Sequence, residues 1–388
     1  MSTYDIKITK EHEILRQVAR DFAEKEIRLV VNEDERNHRF QREIVSKMGE
    51  LGFFGCAIPE EYGGSGMGFL AHAIVTEEIA RVSGSLRAPF NMQAMGSARE
   101  ILQYGSDEQK KRYIPALVKG ELLGCIGITE PDAGSDVASL KTTAVKKGDY
   151  YVLNGSKTWI TWATVADVGI FYAYTDRSKK YRGISAFIVD LHSAGVTCKL
   201  IEHKLGWHAC PTGEVFFEDV EVPAENLMGK EGEGFLYAMG GLDNTRLSAA
   251  AGAVGVCRAI IEESIKYAKQ RKQFGQEIGQ FQMVQEQIAR MVVETEAARL
   301  LVYRCACEKD RGIRNTLETS MAKYYSCDVA SKLADLGLVI LGAYGYSGEY
   351  PMERYLRDAK LYQLIEGSPN IHKIIIANDA LGYKKANR

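Results

Sequence analysis

Tyr150-Tyr-Val-Leu-Asn-Gly155 reads as a strand running into a turn, because aromatic and branched side chains suit a pleated surface and Asn-Gly suits a reversal. Three similar stretches follow: Val-Gly-Ile-Phe-Tyr-Ala-Tyr (168–174), Gly-Ile-Ser-Ala-Phe-Ile-Val-Asp-Leu (183–191) and Glu-Val-Phe-Phe-Glu-Asp-Val-Glu-Val (214–222). A β block is therefore predicted between about 122 and 235. On both sides the apolar period changes to that of helices. Before the block, Leu15, Val18, Ala19, Phe22 and Ile27 begin a helical pattern that recurs over 43–52, 68–83, 91–104 and 107–119. The Gly-rich segment 58–68, with Pro59, interrupts it as a loop. After the block, helices are expected over 245–270, 280–309, 315–342 and 351–362, with a last one beginning near Pro369. The order α, β, α predicts an α+β chain with domains at 1–121, 122–235 and 236–388. Strands do not alternate with helices and no G-x-G-x-x-G follows a strand, which argues against a doubly wound nucleotide fold.

The 388 residues are 46% hydrophobic and 26% charged, enough to bury a large core. With 49 basic and 51 acidic side chains the net charge is −2, which gives no pull toward nucleic acid or an anionic bilayer. The N-terminus lacks the order of a signal peptide, and no stretch approaches the roughly 18 to 20 apolar residues of a membrane span. A cytoplasmic protein without membrane insertion is expected. The eight cysteines lack any C-x-x-C spacing, and Cys305 and Cys307 point to different faces of a helix, so reduced thiols and no metal site are expected.

Between helices and β block lies Gly127-Ile-Thr-Glu-Pro-Asp-Ala-Gly-Ser-Asp136, whose small residues let backbone amides and hydroxyls approach a ligand. Alone it is also an ordinary connecting loop. It occurs with NGSKTWIT (154–161), TRLSAAAGAVG (245–255), RKQFG with FQ (271–275 and 281–282), LGAYGYSGEYP (341–351) and IEGSPNI (365–371). In this order the motifs resemble the acyl-CoA dehydrogenase family from end to end. The resemblance implies an N-terminal helical domain, a middle β-barrel-like domain and a C-terminal four-helix bundle, assembled as a homotetramer with FAD.

The same resemblance assigns Ile126, Ile128, Thr129, Ser135, Trp159 and Thr161 to the flavin, with Trp159 stacked on the ring and Thr161 near N5. An isolated strand Trp is otherwise a core residue. Arg271 and Phe274, with Gln282, correspond to residues that reach the FAD of a neighbouring subunit, although an Arg in a lysine-rich helix is otherwise a solvated charge. A guanidinium fits a diphosphate through paired hydrogen bonds. Where the family carries Gln-x-x-Gly-Gly, this chain has Val339-Ile-Leu-Gly342-Ala343, so Gly342 is kept on the cofactor side with backbone contacts in place of the amide. Asp243 and Arg246 match CoA-binding positions, the alternative being a surface i, i+3 ion pair. Ser135 serves both ligands.

In Leu364-Ile-Glu-Gly-Ser-Pro-Asn-Ile371 a single carboxylate stands among apolar residues, a setting that favours a strong, positioned base. By the resemblance Glu366 is the catalytic base, Gly367 lies beside the thioester, and Ser368 and Asn370 face the flavin. Some relatives draw the base from the position of Thr245, which has no basic group at neutral pH. The expected reaction is α-proton removal by Glu366 with hydride transfer from Cβ.

Arg87 corresponds to the arginine that glutaryl-CoA dehydrogenases set against the distal carboxylate; the alternative is an exposed Arg at a helix end. Ala80 and Ile365 replace the acidic residue and Tyr of decarboxylating members. A compact ring pocket built from Ile365, Ala88, Phe90 and Asn91, taking cyclohexanecarboxyl-CoA in anaerobic degradation, is the competing expectation. Asn91 stands where cyclohexene-oxidising relatives carry an Asp base. Electron-transferring flavoprotein is the expected partner beside the acyl-CoA, with an O2-dependent oxidase and a non-catalytic flavoprotein as the alternatives.

Overall fold

The computed structural model describes residues 5–383, so the outer ends of the expected terminal domains, 1–4 and 384–388, lie outside the described residues. Seven helices come first: α1 (Lys10–Phe22), α2 (Val31–Asn37), α3 (Arg42–Glu50), α4 (Gly68–Ala80), α5 (Gly84–Pro89), α6 (Arg99–Tyr104) and α7 (Asp107–Val118). Local chemistry sets their ends. Thr9 and Ser106 cap α1 and α7 through reciprocal side-chain bonds with His12 and Gln109, satisfying orphan amides of the first turn. The helix expected over 68–83 ends at Ala80, and Ser83 caps a new one by accepting from Leu86 N. Beyond Pro89, which lacks an N–H, the backbone widens into a π-helical run from Phe90 to Ala98.

The β block is one sheet of β1 (Gly124–Gly127), β2 (Thr143–Lys147), β3 (Tyr150–Thr161), β4 (Val168–Tyr174), β5 (Ile184–Asp190), β6 (Val196–Leu200), β7 (Thr212–Pro223) and β8 (Leu227–Met228). Its order is β6-β7-β3-β2-β4-β5-β8, with β1 added parallel to β4. The four strands read from the sequence are present, and β1, β2, β6 and β8 are additions. These four are short, and β2 and β6 are mostly solvated, so neither shows the apolar run that marks β4. The antiparallel pair β3–β7 slips register between Lys157 and Ile160. This bulge turns Trp159 outward, at φ 59° and 59% exposed, whereas a regular strand Trp would be core.

Four long helices follow: α8 (Gly234–Gln270), α9 (Gln282–Asp310), α10 (Thr316–Leu341) and α11 (Met352–Leu364), with α12 (Pro369–Ala380) opening on a proline suited to a first turn. The hairpin of β9 (Lys272–Gln273) and β10 (Gln276–Glu277) separates α8 from α9. Helix α8 lies against α4, α9, α10 and α11 and carries the run Ser248–Val256, buried throughout. Small residues there admit close neighbours: a Cβ on Gly255 would lie 2.4 Å from the Glu77 carbonyl oxygen of α4. The α1–α4–α8–α9 contact also buries Glu77 and Glu78, which meet Arg258, Arg299 and Arg20. Removing one partner from such a cluster costs about 3–5 kcal/mol, because it strands a buried charge. The order of elements is helical, then β, then helical, as the sequence predicts.

Candidate active site

Glu366 sits in the turn between α11 and α12 with φ 57°, a left-handed conformation that costs an L-residue about 1–2 kcal/mol. Neighbouring donors hold the turn. Arg246 Nε donates to the Glu366 carbonyl at 3.0 Å, and Lys323 Nζ donates to the carbonyls of Gly367 (2.9 Å) and Gln363 (3.2 Å). Gly367 continues the turn at φ 97°, facing the buried His372 ring. Burial pushes the His372 pKa down to about 3, and also lowers that of Lys323, so His372 is neutral at pH 7.

The carboxylate itself is not surrounded by apolar groups, as the flanking sequence suggested. Its Oε1 accepts from Asn91 Nδ2 at 2.9 Å and its Oε2 from the Thr245 hydroxyl at 2.5 Å. Local sequence could not show this, because Asn91 comes from the π-helical run and Thr245 from α8. Thr245, which has no basic group at neutral pH, is a donor to the Glu366 carboxylate.

Arg87 is fully buried, not exposed at a helix end. Its Nη2 donates to Asn91 Oδ1 at 2.9 Å, one helical turn on, and its Nε has no hydrogen-bond partner. The guanidinium carbon lies 5.4 Å from the Trp207 ring centroid and 5.1 Å from that of Tyr362. These two rings meet edge to face at 5.2 Å. Burial lowers the Arg87 pKa, with Tyr362 and Glu366 pulling it back up. A Cβ on Gly252 would lie 2.5 Å from Arg87 Nε and 2.9 Å from the Tyr362 hydroxyl, so the bare backbone of α8 makes room for both. Ile365 is half-buried against the core, and Ala80, Ala88 and Phe90 are buried.

Asp243 and Arg246 do form the i, i+3 pair, at 3.1 Å, yet Arg246 is only 6% exposed and is spent on the Glu366 turn. Asp243 also accepts from the Thr316 hydroxyl at 2.7 Å, so the pair is a brace and not a surface feature. Ser368 is the residue before α12, and Asn370 is exposed in its first turn.

Among the flavin candidates, Ile126 lies in β1 opposite Ile170, and Thr129 accepts from Thr158 N at 3.0 Å, which joins the two motifs across the sheet. Ile128 and Thr161 are half-buried; Ser135 is exposed. Beneath them Lys157 is fully buried and pairs with Glu130 at 2.6 Å; burial takes the Lys157 pKa down to about 8 against the pull of Glu130. Glu130 also accepts from the Thr142 hydroxyl and from backbone amides 141 and 142, fastening the loop.

Arg271, Phe274, Gln282 and Gly342 gather elsewhere, where α8, α9 and α10 end or begin. Arg271 lies 5.6 Å over the Tyr344 ring, Phe274 is 94% exposed with φ 52°, Gln282 is exposed, and Gly342 closes α10 at φ 60°. Among the described residues no hydrogen bond or ion pair joins these four to Glu366, Asn91 or Arg87.

Several site residues escaped the sequence reading: Trp207, Tyr362, Lys323, His372 and Glu100. Tyr362 is one turn before Glu366, a spacing that could have exposed it. Glu100 is buried, takes a hydrogen bond from Tyr172, and has its pKa pushed up to about 8 by burial. Among the described residues no group of three or more His, Cys, Asp or Glu side chains could hold a metal, and no helix is long and apolar enough to cross a membrane.

Three family profiles match the chain: the acyl-CoA dehydrogenase N-terminal domain over 9–121, middle domain over 125–220 and C-terminal domain over 232–381. A glutaryl-CoA dehydrogenase of Desulfococcus multivorans is 52% identical over 99% of this chain and 100% of its own length. A solved glutaryl-coenzyme A dehydrogenase in complex with glutaryl-CoA is 51% identical, with TM-score 0.96 over 99% of this chain and 98% of that one. A glutaryl-CoA dehydrogenase from Mycobacterium smegmatis in complex with FADH2 is 28% identical, with TM-score 0.92 over 97% of this chain and 95% of that one.

Proposed function

The chain belongs to the acyl-CoA dehydrogenase family, and on that premise we propose that its substrate is glutaryl-CoA, oxidised to the 2-enoyl thioester with the terminal carboxylate retained. The protein is an FAD-dependent acyl-CoA dehydrogenase. The observation that carries the substrate is Arg87, a fully buried guanidinium without a carboxylate partner among the described residues, one amide away from Glu366. An unmatched buried cation costs several kcal/mol, and a carboxylate at the end of the acyl chain offsets that cost. A cyclohexane ring leaves the cation unmatched. Ala80 and Ile365 offer neither the acid nor the phenol of decarboxylating relatives, which supports retention of the carboxylate.

In this reading Glu366 takes the α-proton. Before substrate binds, its two hydrogen bonds hold the carboxylate in one orientation, and the bonds of Arg246 and Lys323 to the carbonyls of Glu366, Gln363 and Gly367 fix the turn whose Glu366 N–H would meet the thioester oxygen. Bound FAD supplies the hydride acceptor for Cβ. The residues that would hold it are Ile126, Ile128, Thr129, Ser135, Trp159, Thr161, Ser368 and Asn370, with Arg271, Phe274, Gln282 and Gly342 reaching the cofactor of a second subunit. The exposed Trp159 indole fits this role, since a flat apolar face on a bulge calls for a flat partner. Of the pair, the less buried Asp243 would meet the CoA portion, with Arg246 bracing it and the Glu366 turn. The exposed Phe274 and Tyr346 side chains, 94% and 87%, support assembly as a homotetramer. The three-domain division at 121 and 235, electron-transferring flavoprotein as acceptor and a cytoplasmic setting complete the proposal.

Anaerobic bleaching of the flavin by glutaryl-, butyryl- and cyclohexanecarboxyl-CoA tests it, with the mass of the product reporting whether CO2 is kept. Glutaryl-CoA is expected to bleach at the lowest concentration. Equal bleaching by butyryl-CoA overturns the substrate, and turnover in air without added acceptor marks an oxidase.

A further inference from the structure

Asn91 stands between two groups that leave its amide a single orientation. A guanidinium only donates and an ionised carboxylate only accepts, so Oδ1 must face Arg87 and Nδ2 must face Glu366, as the two 2.9 Å contacts have it. Asn91 is 2% exposed, so bulk water does not compete for its bond to the buried Arg87. The other cations near the turn are committed elsewhere. Arg246 binds the Glu366 carbonyl and Asp243, Lys323 binds the carbonyls of Gln363 and Gly367, and His372 is neutral. Among the described residues the hydrogen-bonded path from a cation to the Glu366 carboxylate runs through Arg87 and Asn91.

We infer that Asn91 is a positioning residue that couples whatever sits on Arg87 to the carboxylate of Glu366, so that a terminal carboxylate is selected in proton removal as well as in binding. This rests on the glutaryl-CoA reading above. With a neutral acyl tail Arg87 keeps polarising the Asn91 amide, and the amide keeps its grip on Glu366. An anion on Arg87 draws off the guanidinium donors and neutralises its charge. The amide then donates more weakly, and Glu366 is freed toward Cα.

The test measures kcat and KM of the FAD-loaded enzyme with glutaryl-CoA and butyryl-CoA for wild type, Asn91→Leu, Arg87→Met and the double variant. Asn91→Leu is expected to lower the glutaryl-to-butyryl ratio of kcat by about tenfold while the ratio of KM changes less than about threefold, and the two substitutions are expected to be non-additive in kcat. Equal losses on both substrates, a change confined to KM, or an additive cycle overturns the inference. Asn91→Ser, whose hydroxyl both donates and accepts, serves if the Leu variant fails to fold and should retain part of the kcat ratio; loss of the ratio to the level of Arg87→Met overturns it too. A wild-type enzyme without preference for glutaryl-CoA removes the substrate reading together with this inference, whereas a preferring wild type with an additive cycle removes this inference alone.

Discussion

The Asn91 side-chain amide and the Glu366 carboxylate are joined by a 2.9 Å hydrogen bond across 275 residues of sequence. Together with the Thr245 hydroxyl on the other oxygen, it leaves the carboxylate oriented before any substrate arrives.

Glu366→Gln should therefore keep its place, since an amide oxygen still accepts from Asn91, and lose the proton acceptor. FAD content and thioester binding are expected to stay near wild type, while exchange of the thioester α-proton with D2O falls by about 10²- to 10⁴-fold. Exchange at the wild-type rate would remove Glu366 as the base.

Arg87→Met should act in opposite directions on function and stability. The KM for glutaryl-CoA is expected to rise about 10- to 100-fold, as for the loss of a charge-assisted bond, with little change for butyryl-CoA. Without substrate the variant should be more stable by about 1–3 kcal/mol, because a desolvated cation gives way to an apolar chain. Chemical denaturation of the two proteins checks the sign.

Trp207 packs against the Arg87 guanidinium, and its loop is tied down where Trp207 N donates to Asp358 at 3.0 Å and His208 N to Glu35 at 2.8 Å. Trp207→Leu should lengthen the pocket and raise kcat/KM for adipyl-CoA relative to glutaryl-CoA by about tenfold. An unchanged ratio would show that the indole does not limit chain length.

Glu100 makes stability depend on pH. Its folded pKa of about 8 lies above the ordinary 4.5, so between these values the native state holds a proton that the unfolded chain has given up, and stability falls as pH rises through that window. Glu100→Gln should leave the melting temperature nearly unchanged at about pH 4 and raise stability by about 4 kcal/mol at about pH 8. A gain independent of pH would contradict the assignment.

The order of helices and strands was legible because apolar period survives in a single sequence: β4 and β5 are buried at almost every position, and α9 and α10 repeat over many turns. β2 and β6, short and mostly exposed, carry no such period. The motifs singled out Glu366, Arg87 and Asn91, which the fold brings into one hydrogen-bonded row, but not their surroundings. Trp207 reaches Arg87 from a loop of the β block and Tyr362 from α11, and nothing local in either segment announces a shared neighbour. The bulge at Lys157–Ile160 likewise depends on where β7 pairs, which no reading of β3 alone contains.

The missing side chain at position 252 links two sites on the mutational landscape of this enzyme. Any substituent there collides with Arg87 and Tyr362 while both keep their present length. In a library of single changes Gly252 should thus score as fixed, and it should become variable only in backgrounds where Arg87 and Tyr362 have already been shortened. A laboratory lineage that changes position 252 would lose the arginine and the tyrosine first and the glycine last, an order that sequencing successive rounds would record.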